Sequence, residues 1–147
     1  MHPEVTRQKA GYLISQLMPF IIQGVHLEFL AKKTITQTQF LVLVAIFSKH
    51  RSTMKNLADN MHVSMPTMSG IVDRLVKSGY IKRQEDQKDR RQVTIELSVK
   101  GERLIKQFQS IISRRWQEVL QSLSEKDVKS FFDVVTKLKN ALQIKKK

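Results

Sequence analysis

The sequence predicts a mainly α-helical domain that includes one small β-hairpin. Apolar residues recur at helical spacing through most of the 147 residues. Residues 93–97 alternate strictly between apolar and polar side chains, which is typical of a short, half-buried strand. The chain has no internal repeat and no low-complexity linker, and its length suffices for one hydrophobic core. We therefore expect a single domain.

The N-terminal segment from Val5 to Lys32 has the apolar spacing of an amphipathic helix. Pro19 interrupts it, and proline lacks an N–H donor and clashes with the preceding turn, so we expect a kink or a break there. Because this helix is so apolar, another surface must cover its apolar side. We expect a second subunit to provide that surface.

The next apolar run, residues 40–47, is compatible with a buried strand or a buried helix. Thr36 as a helix N-cap, followed by a glutamine-rich lead-in, favours a helix that is buried nearly all round. Residues 49–52 are predicted to be a polar break.

Two short helices joined by a tight turn are predicted next. Ser52 or Thr53 caps the first, over residues 54–61. Ser64 caps the second, and Pro66 lies in its first turn, where a missing N–H costs little. Each helix has one apolar face, so the pair forms a helix-turn-helix unit.

A hairpin and two long helices complete the chain. Gly79 is predicted to be a left-handed stop, and strands over 80–84 and 93–97 flank a polar loop that projects into solvent. We expect Val93, Ile95 and Leu97 to face the core. Helices follow that are capped by Ser98 and Ser124, the second with Asp127 in the pattern of a capping box.

The composition restricts the function. A net charge of +13 favours polyanionic partners, nucleic acid before anionic membrane, although charge can also serve solubility alone. The absence of cysteine excludes disulfides, thiolate catalysis and cysteine-ligated zinc. No apolar run spans a bilayer, and the first residues lack the apolar core of a signal peptide, so we expect a cytoplasmic protein.

A helix-turn-helix followed by a hairpin with a basic tip is a winged helix. The start of its second helix is the part that enters the major groove of DNA in such proteins. Met65 and Met68 are positioned either to contact thymine methyl groups or to pack in the core. Arg74 is long enough to reach a phosphate, or it pairs with Asp73 or a wing carboxylate. In the wing, a projecting arginine fits a narrow minor groove.

Several segments together resemble the MarR family of bacterial transcriptional regulators, over nearly the whole chain. The Asp-x-Arg sequence of the wing, Asp89-Arg90-Arg91, is the most specific of them. The other segments are Ile35-Thr36-Gln37-Thr38-Gln39-Phe40, Leu57-Ala58, Val63-Ser64, Thr67-Met68-Ser69, Val72-Asp73-Arg74-Leu75, Gly79-Tyr80-Ile81, Val93, Ile95, Leu97-Ser98 and Gly101.

This resemblance implies an obligate homodimer that binds double-stranded DNA at palindromic promoter sites, usually as a repressor and often released by a small molecule. Helical dimerisation segments are expected at 5–34 and 99–144, around a winged helix-turn-helix lobe at 36–98. Arg91 would enter the minor groove, oriented by Asp89. Gly70 occupies a position where many members have a longer polar or basic residue.

The predicted site residues form two sets, with no cofactor and no metal. An effector pocket is expected between the dimer helices and the DNA-binding lobe, lined by Tyr12, Phe20, Phe29 and Trp116, although each can equally be a core residue. The predicted DNA contacts are Thr53, Lys55, Ser64, Pro66, Thr67, Met68, Ser69, Arg74, Lys77, Lys88, Asp89, Arg90 and Arg91.

Two alternatives compete with a DNA-binding regulator. An enzyme is disfavoured, because the four histidines have no metal-ligand spacing and the chain has no phosphate loop or nucleophile motif. The stronger alternative is a winged-helix module for protein interaction or effector sensing with little affinity for DNA. The basic wing argues against that module.

Overall fold

The structure, a computed structural model, describes residues 6–22, 25–85, 87, 89 and 93–144. Its mostly helical content with a small antiparallel sheet confirms the predicted fold class. No helix within these ranges is long and apolar enough to cross a membrane. The strands are β1 (Arg51–Thr53), β2 (Ile81–Glu85) and β3 (Val93–Leu97). The helices are α1 (Arg7–Ile22), α2 (Val25–Lys33), α3 (Gln37–Lys49), α4 (Met54–Met61), α5 (Met65–Lys77), α6 (Val99–Leu120) and α7 (Glu125–Ile144).

Hydroxyl side chains begin α3, α4 and α5, as the sequence predicted. The hydroxyl oxygens of Thr36, Thr53 and Ser64 accept a backbone N–H three residues later, at 3.2, 3.1 and 3.3 Å. At Thr36 the side chain of Gln39 accepts the cap's own N–H at 3.0 Å, which completes a capping box. Each cap is worth about 1 kcal/mol of helix stability.

Pro19 lies inside α1, which continues to Ile22. The alternative of a break at Pro19 was therefore wrong. Proline deprives one carbonyl, that of Ser15, of its helical donor. Ser15 lies on an exposed turn, where water can replace that donor, so the loss does not end the helix.

The hairpin is part of a three-stranded antiparallel sheet with the order β1-β3-β2. In the central strand Ile95 is opposite Ser52 of β1 and Arg83 of β2. The prediction that residues 49–52 are only a polar break was therefore wrong, because three polar residues pair as a strand without any apolar alternation.

Two side chains of β3 also differ from the predicted alternation. Val93 was expected to face the core, but it is 43% exposed, whereas Thr94 is 8% exposed. The Thr94 hydroxyl donates to the carbonyl of Gln84 at 3.3 Å, which satisfies it between two flanking strands. Ile95 and Leu97 are buried as predicted.

The polypeptide divides into two compact units, Met1–Ile111 and Ile112–Lys147. The core of the first unit is built from α2 to α6 and the sheet. Helix α3 was expected to be buried nearly all round, and that was wrong. Its residues Val42, Leu43 and Ile46 are fully buried, but Leu41 and Val44 are 43% and 39% exposed.

The second unit contains the end of α6 and all of α7. The rings of Trp116 and Phe131 lie with their centroids 5.9 Å apart and their planes tilted by 33°. Ser124 caps α7 as predicted, because its oxygen accepts the N–H of Asp127 at 3.2 Å. The Asp127 carboxylate accepts a hydrogen bond from the Ser124 hydroxyl at 2.6 Å, where a capping box would have it accept from the Ser124 N–H. Most of the large apolar residues of α7 are exposed.

Candidate nucleic-acid interface

The helix-turn-helix is formed by α4, a short turn and α5. His62 ends α4 in the left-handed conformation, with φ 52° and ψ 43°, and its N–H bonds to the carbonyls of Ala58 and Asp59. The N–H of Val63 also bonds to the Ala58 carbonyl, at 3.1 Å. Ser64 follows as the N-cap of α5. The turn therefore satisfies its own backbone groups, which gives α5 a defined position after α4.

Helix α5 separates a buried face from an exposed one. Met68 and Val72 are 0% exposed and Leu75 is 1% exposed, and all three pack in the core. Arg74 and Lys77 are exposed. Including Met68 among the DNA contacts was therefore wrong. Of its two open alternatives the structure shows core packing, because no surface of Met68 remains for a base.

The first turn of α5 has short polar side chains, and two of them hydrogen-bond to each other. The Ser64 oxygen accepts the N–H of Thr67, and the two hydroxyls share a hydrogen bond of 2.8 Å. Pro66 and Thr67 are exposed, and Ser69 is half-buried. A Cβ added to Gly70 would meet no atom within 4 Å, so the space for a longer side chain is open there.

The end of α5 is a Schellman motif, as Gly79 predicted. Gly79 has φ +77°, and its N–H bonds to the carbonyl of Val76 at 2.9 Å. The N–H of Tyr80 bonds to the carbonyl of Leu75 at 3.0 Å. Only glycine adopts this backbone conformation without strain, and the turn directs the chain into β2.

The first turn of α6 holds the C-terminal end of α5. The ammonium of Lys100 donates to the Ser78 carbonyl at 2.7 Å and lies 4.4 Å from the centroid of the Tyr80 ring. The Ser98 hydroxyl donates to the Gly79 carbonyl at 2.5 Å. A Cβ on Gly101 would lie 2.1 Å from the Tyr80 oxygen, so only glycine fits this contact.

An ion pair joins α5 to the hairpin. The guanidinium of Arg83 on β2 donates to the Asp73 carboxylate at 2.5 Å. Pairing with Asp73 had been one alternative for Arg74. In the structure Asp73 pairs with Arg83. Sequence reasoning missed Arg83 and Lys100, because no periodic spacing relates either residue to its partner. For Arg83 the only available signal was the opposite charge of Asp73 on the neighbouring helix, and for Lys100 there was none, because it contacts a backbone carbonyl and an aromatic ring.

The structure places most of the predicted DNA contacts at the start of α4 and along α5. Lys55, Ser64, Pro66, Thr67, Arg74, Lys77 and Asp89 are exposed, while Thr53 and Ser69 are half-buried. Lys88, Arg90 and Arg91 lie outside the described residues. We call the exposed side chains of α5 and its N-cap the reading surface. They are Ser64, Met65, Pro66, Thr67, Asp73, Arg74 and Lys77.

The four predicted effector residues have different surroundings. Tyr12 and Phe20 on α1 are 65% and 70% exposed. Phe29 is buried in the core, with its ring centroid 5.5 Å from that of Phe108. Trp116 belongs to the second unit. Whether the four line one pocket stays a prediction. In the part of the chain that is described, no three histidine or acidic side chains cluster closely enough to hold a metal ion.

Comparisons with known proteins agree with this geometry. The sequence profile of the MarR family matches residues 35–93. The chain is 28% identical over 121 residues to the uncharacterized HTH-type transcriptional regulator YsmB of Bacillus subtilis, covering 80% of this chain and 81% of that protein. It is 24% identical over 118 residues to the HTH-type transcriptional repressor YetL of the same organism, with coverage of 79% and 71%.

Solved structures share the fold. The transcriptional regulator Tm0710 from Thermotoga maritima superposes with a TM-score of 0.79 at 22% identity, covering 95% of this chain and 97% of that one. A mutant of S. aureus MepR bound to an oligodeoxyribonucleotide superposes with a TM-score of 0.65 at 25% identity, with coverage of 95% and 99%.

Proposed function

Since this chain belongs to the MarR family, we propose that it binds specific sequences of double-stranded DNA at promoters and regulates transcription. The observation that supports this most directly is the presentation of α5. Its inner face is buried by Met68, Val72 and Leu75, and its outer face is exposed. The Arg83–Asp73 pair ties α5 to the hairpin, so two DNA-contacting elements are held together.

The electrostatics of the lobe favour the same function. Lys55, Arg74 and Lys77 are exposed on α4 and α5, in a chain with a net charge of +13. Cations on such a surface neutralise phosphates and release counterions, which makes the affinity depend on salt. We also propose that Arg90 and Arg91 of the wing contact the minor groove, with Asp89 orienting Arg91.

A homodimer is the form in which we propose that the protein binds. Helix α1 exposes Leu13, Ile14 and Leu17 by 59%, 52% and 52%, which is a large apolar stripe for one helix. We assign dimerisation to residues 5–34 and 99–144 and DNA binding to residues 36–98. In such a dimer the two copies of α5 would lie about 34 Å apart, one turn of DNA, and the two-fold symmetry would match a palindromic site.

Repression is the proposed regulatory outcome. A dimer that covers a promoter site prevents other proteins from occupying it, and the similar YetL is named a repressor. We further propose that a small molecule releases the DNA by binding near Tyr12 and Phe20, whose exposed aromatic rings offer a surface for an apolar ligand. The small molecule should lower the affinity of the wild type for DNA. It should leave the DNA affinity of the Phe20→Ala variant unchanged.

A salt titration tests the proposal against a winged-helix module that binds only proteins. Affinity for a duplex selected from a random pool is measured by fluorescence anisotropy at several salt concentrations. If the dimer neutralises about six phosphates, log affinity falls against log salt with a slope of about −5. A flat slope with no preference among sequences would favour the protein-interaction module.

A further inference from the structure

We infer that the first turn of α5 reads the C5-methyl group of thymine through the side chain of Met65, with the ring of Pro66 beside it. This inference rests on the proposed function and specifies the class of DNA site that the protein prefers. In this inference an apolar contact discriminates between bases, whereas most proteins discriminate between them by side-chain hydrogen bonds.

The exposure of Met65 is not explained by packing of the helix-turn-helix. Met65 is 48% exposed, and from Met54 to Lys77, all of which the structure describes, no other large apolar side chain is exposed. Leu57, Met68 and Val72 fill the core and are 0% exposed. The core is therefore complete without Met65, which extends into solvent on a strongly basic lobe.

The polar side chains around Met65 are hydroxyls, which discriminate between bases less well than longer side chains that make two hydrogen bonds. Recognition of guanine uses the paired donors of arginine or lysine, and recognition of adenine uses the amide of asparagine or glutamine. Residues 64–71 read Ser-Met-Pro-Thr-Met-Ser-Gly-Ile and contain none of these. The hydroxyls of Ser64 and Thr67 already bond to each other at 2.8 Å, which occupies part of their capacity.

Apolar contact matches one feature of the major groove. Among the four base pairs only those with thymine present a methyl group there. The side chain of Met65 has no donor for a phosphate or a base, but it is flexible and polarizable, so it adapts to a methyl group. Pro66 has no N–H to donate, and its exposed ring adds apolar surface next to Met65.

The preferred site is therefore expected to contain thymine in each half-site, opposite the first turn of α5. An arginine in the wing would favour the narrow minor groove of A-tracts. Both contacts then select A·T pairs, one by the methyl group and the other by groove width.

Replacing thymine with deoxyuridine tests the methyl contact directly. A duplex selected from a random pool by the full-length protein is resynthesised with each thymine in turn replaced by deoxyuridine, which removes the methyl group and keeps the pairing edge. At one or two positions per half-site, the affinity should fall about fourfold per methyl group. Equal affinity for the thymine and deoxyuridine duplexes at every position would overturn the inference.

Variants of Met65 assign the contact to this residue. Met65→Ala should bind both duplexes equally, while Met65→Leu, which stays apolar, should keep the difference. Leu41→Ala is the control, because Leu41 is 43% exposed on α3, outside the reading surface and outside the segments assigned to dimerisation, and its loss should leave the fourfold difference intact. A difference that persists in Met65→Ala, or disappears in Met65→Leu, would contradict the inference. Failure of the proposed function gives a separate result, since no duplex would then be selected at all.

Discussion

The helix-turn-helix and helix α7 place their apolar side chains in opposite environments. In α4 and α5, Leu57 and Val72 are 0% exposed, while in α7 Phe132 and Leu142 are 68% and 66% exposed. Burial of apolar surface stabilises a fold by about 25 cal/mol per Å². The helix-turn-helix has this stabilisation within one chain, whereas α7 still has apolar surface to bury. We propose that α7 completes its packing against a second copy of the chain.

The same contrast occurs over a single turn of α5. Met65 and Met68 are three residues apart and chemically identical, but they are 48% and 0% exposed. One is available to a ligand and the other holds the helix on the core. Exposure therefore separates Met65, to which we assign a DNA contact, from Met68, which packs in the core of the same lobe.

The largest expected effect concerns α7. Replacing Phe132 and Leu142 together with glutamate should weaken dimerisation by about 5 kcal/mol or more, because a two-fold interface contains two copies of each new carboxylate and burying an unpaired charge is costly. Light scattering after size exclusion at micromolar concentration should show a dimer for the wild type and a monomer for the variant. Lys126→Glu with Lys137→Glu, at exposed polar positions of the same helix, is the control and should stay dimeric. A wild type that is monomeric at this concentration would contradict the homodimer.

The two methionines of α5 provide the next test. Met68→Ala should lower the free energy of unfolding by about 2–5 kcal/mol, since it leaves a cavity in the core. Met65→Ala should change it by no more than about 0.5 kcal/mol, because its side chain is half exposed. Urea unfolding followed by circular dichroism measures both. Similar losses for the two variants would show that Met65 is a structural residue.

The wing should contribute to DNA affinity and not to dimerisation. Arg91→Ala is expected to cost about 1–3 kcal/mol of affinity for the selected duplex, because it removes a charged contact in the minor groove. Anisotropy titration measures this loss, and light scattering should show an unchanged dimer. Lys106→Ala on α6 removes the same charge elsewhere and serves as the control. Unchanged affinity in Arg91→Ala would refute the assigned role of this arginine.

The smallest expected effect concerns the contact between α6 and the end of α5. Lys100→Met removes the bond to the Ser78 carbonyl and the contact with the Tyr80 ring, so it should reduce the free energy of unfolding by about 1 kcal/mol. Lys106→Met, at an exposed position on the same helix, should have less effect. If the two variants unfold at the same urea concentration, Lys100 does not hold α5 in place.

Local features of the fold could be predicted from the sequence. The caps at Thr36, Thr53 and Ser64 each act within three residues, and Gly79 acts within one turn, so short patterns were sufficient to identify them. The buried stripe of α5 followed from helical periodicity for the same reason.

Features that depend on distant partners could not be predicted. Strand β1 is recognisable only by its pairing with β3, because Arg51–Thr53 is polar and three residues long. The Arg83–Asp73 pair spans ten residues across two elements. The exposure of Val93 and the burial of Thr94 depend on which strands flank β3. The contacts made by Arg90 and Arg91 stay predictions.

A hydroxyl-radical footprint on the selected duplex tests most directly whether a two-fold dimer reads DNA through α5 and the wing. Two protected patches should appear, related by the symmetry of the site, with centres about 10 base pairs apart. Met65→Ala should weaken protection within each patch without changing the spacing. A single patch, or uniform weak protection along the duplex, would contradict the proposed mode of binding.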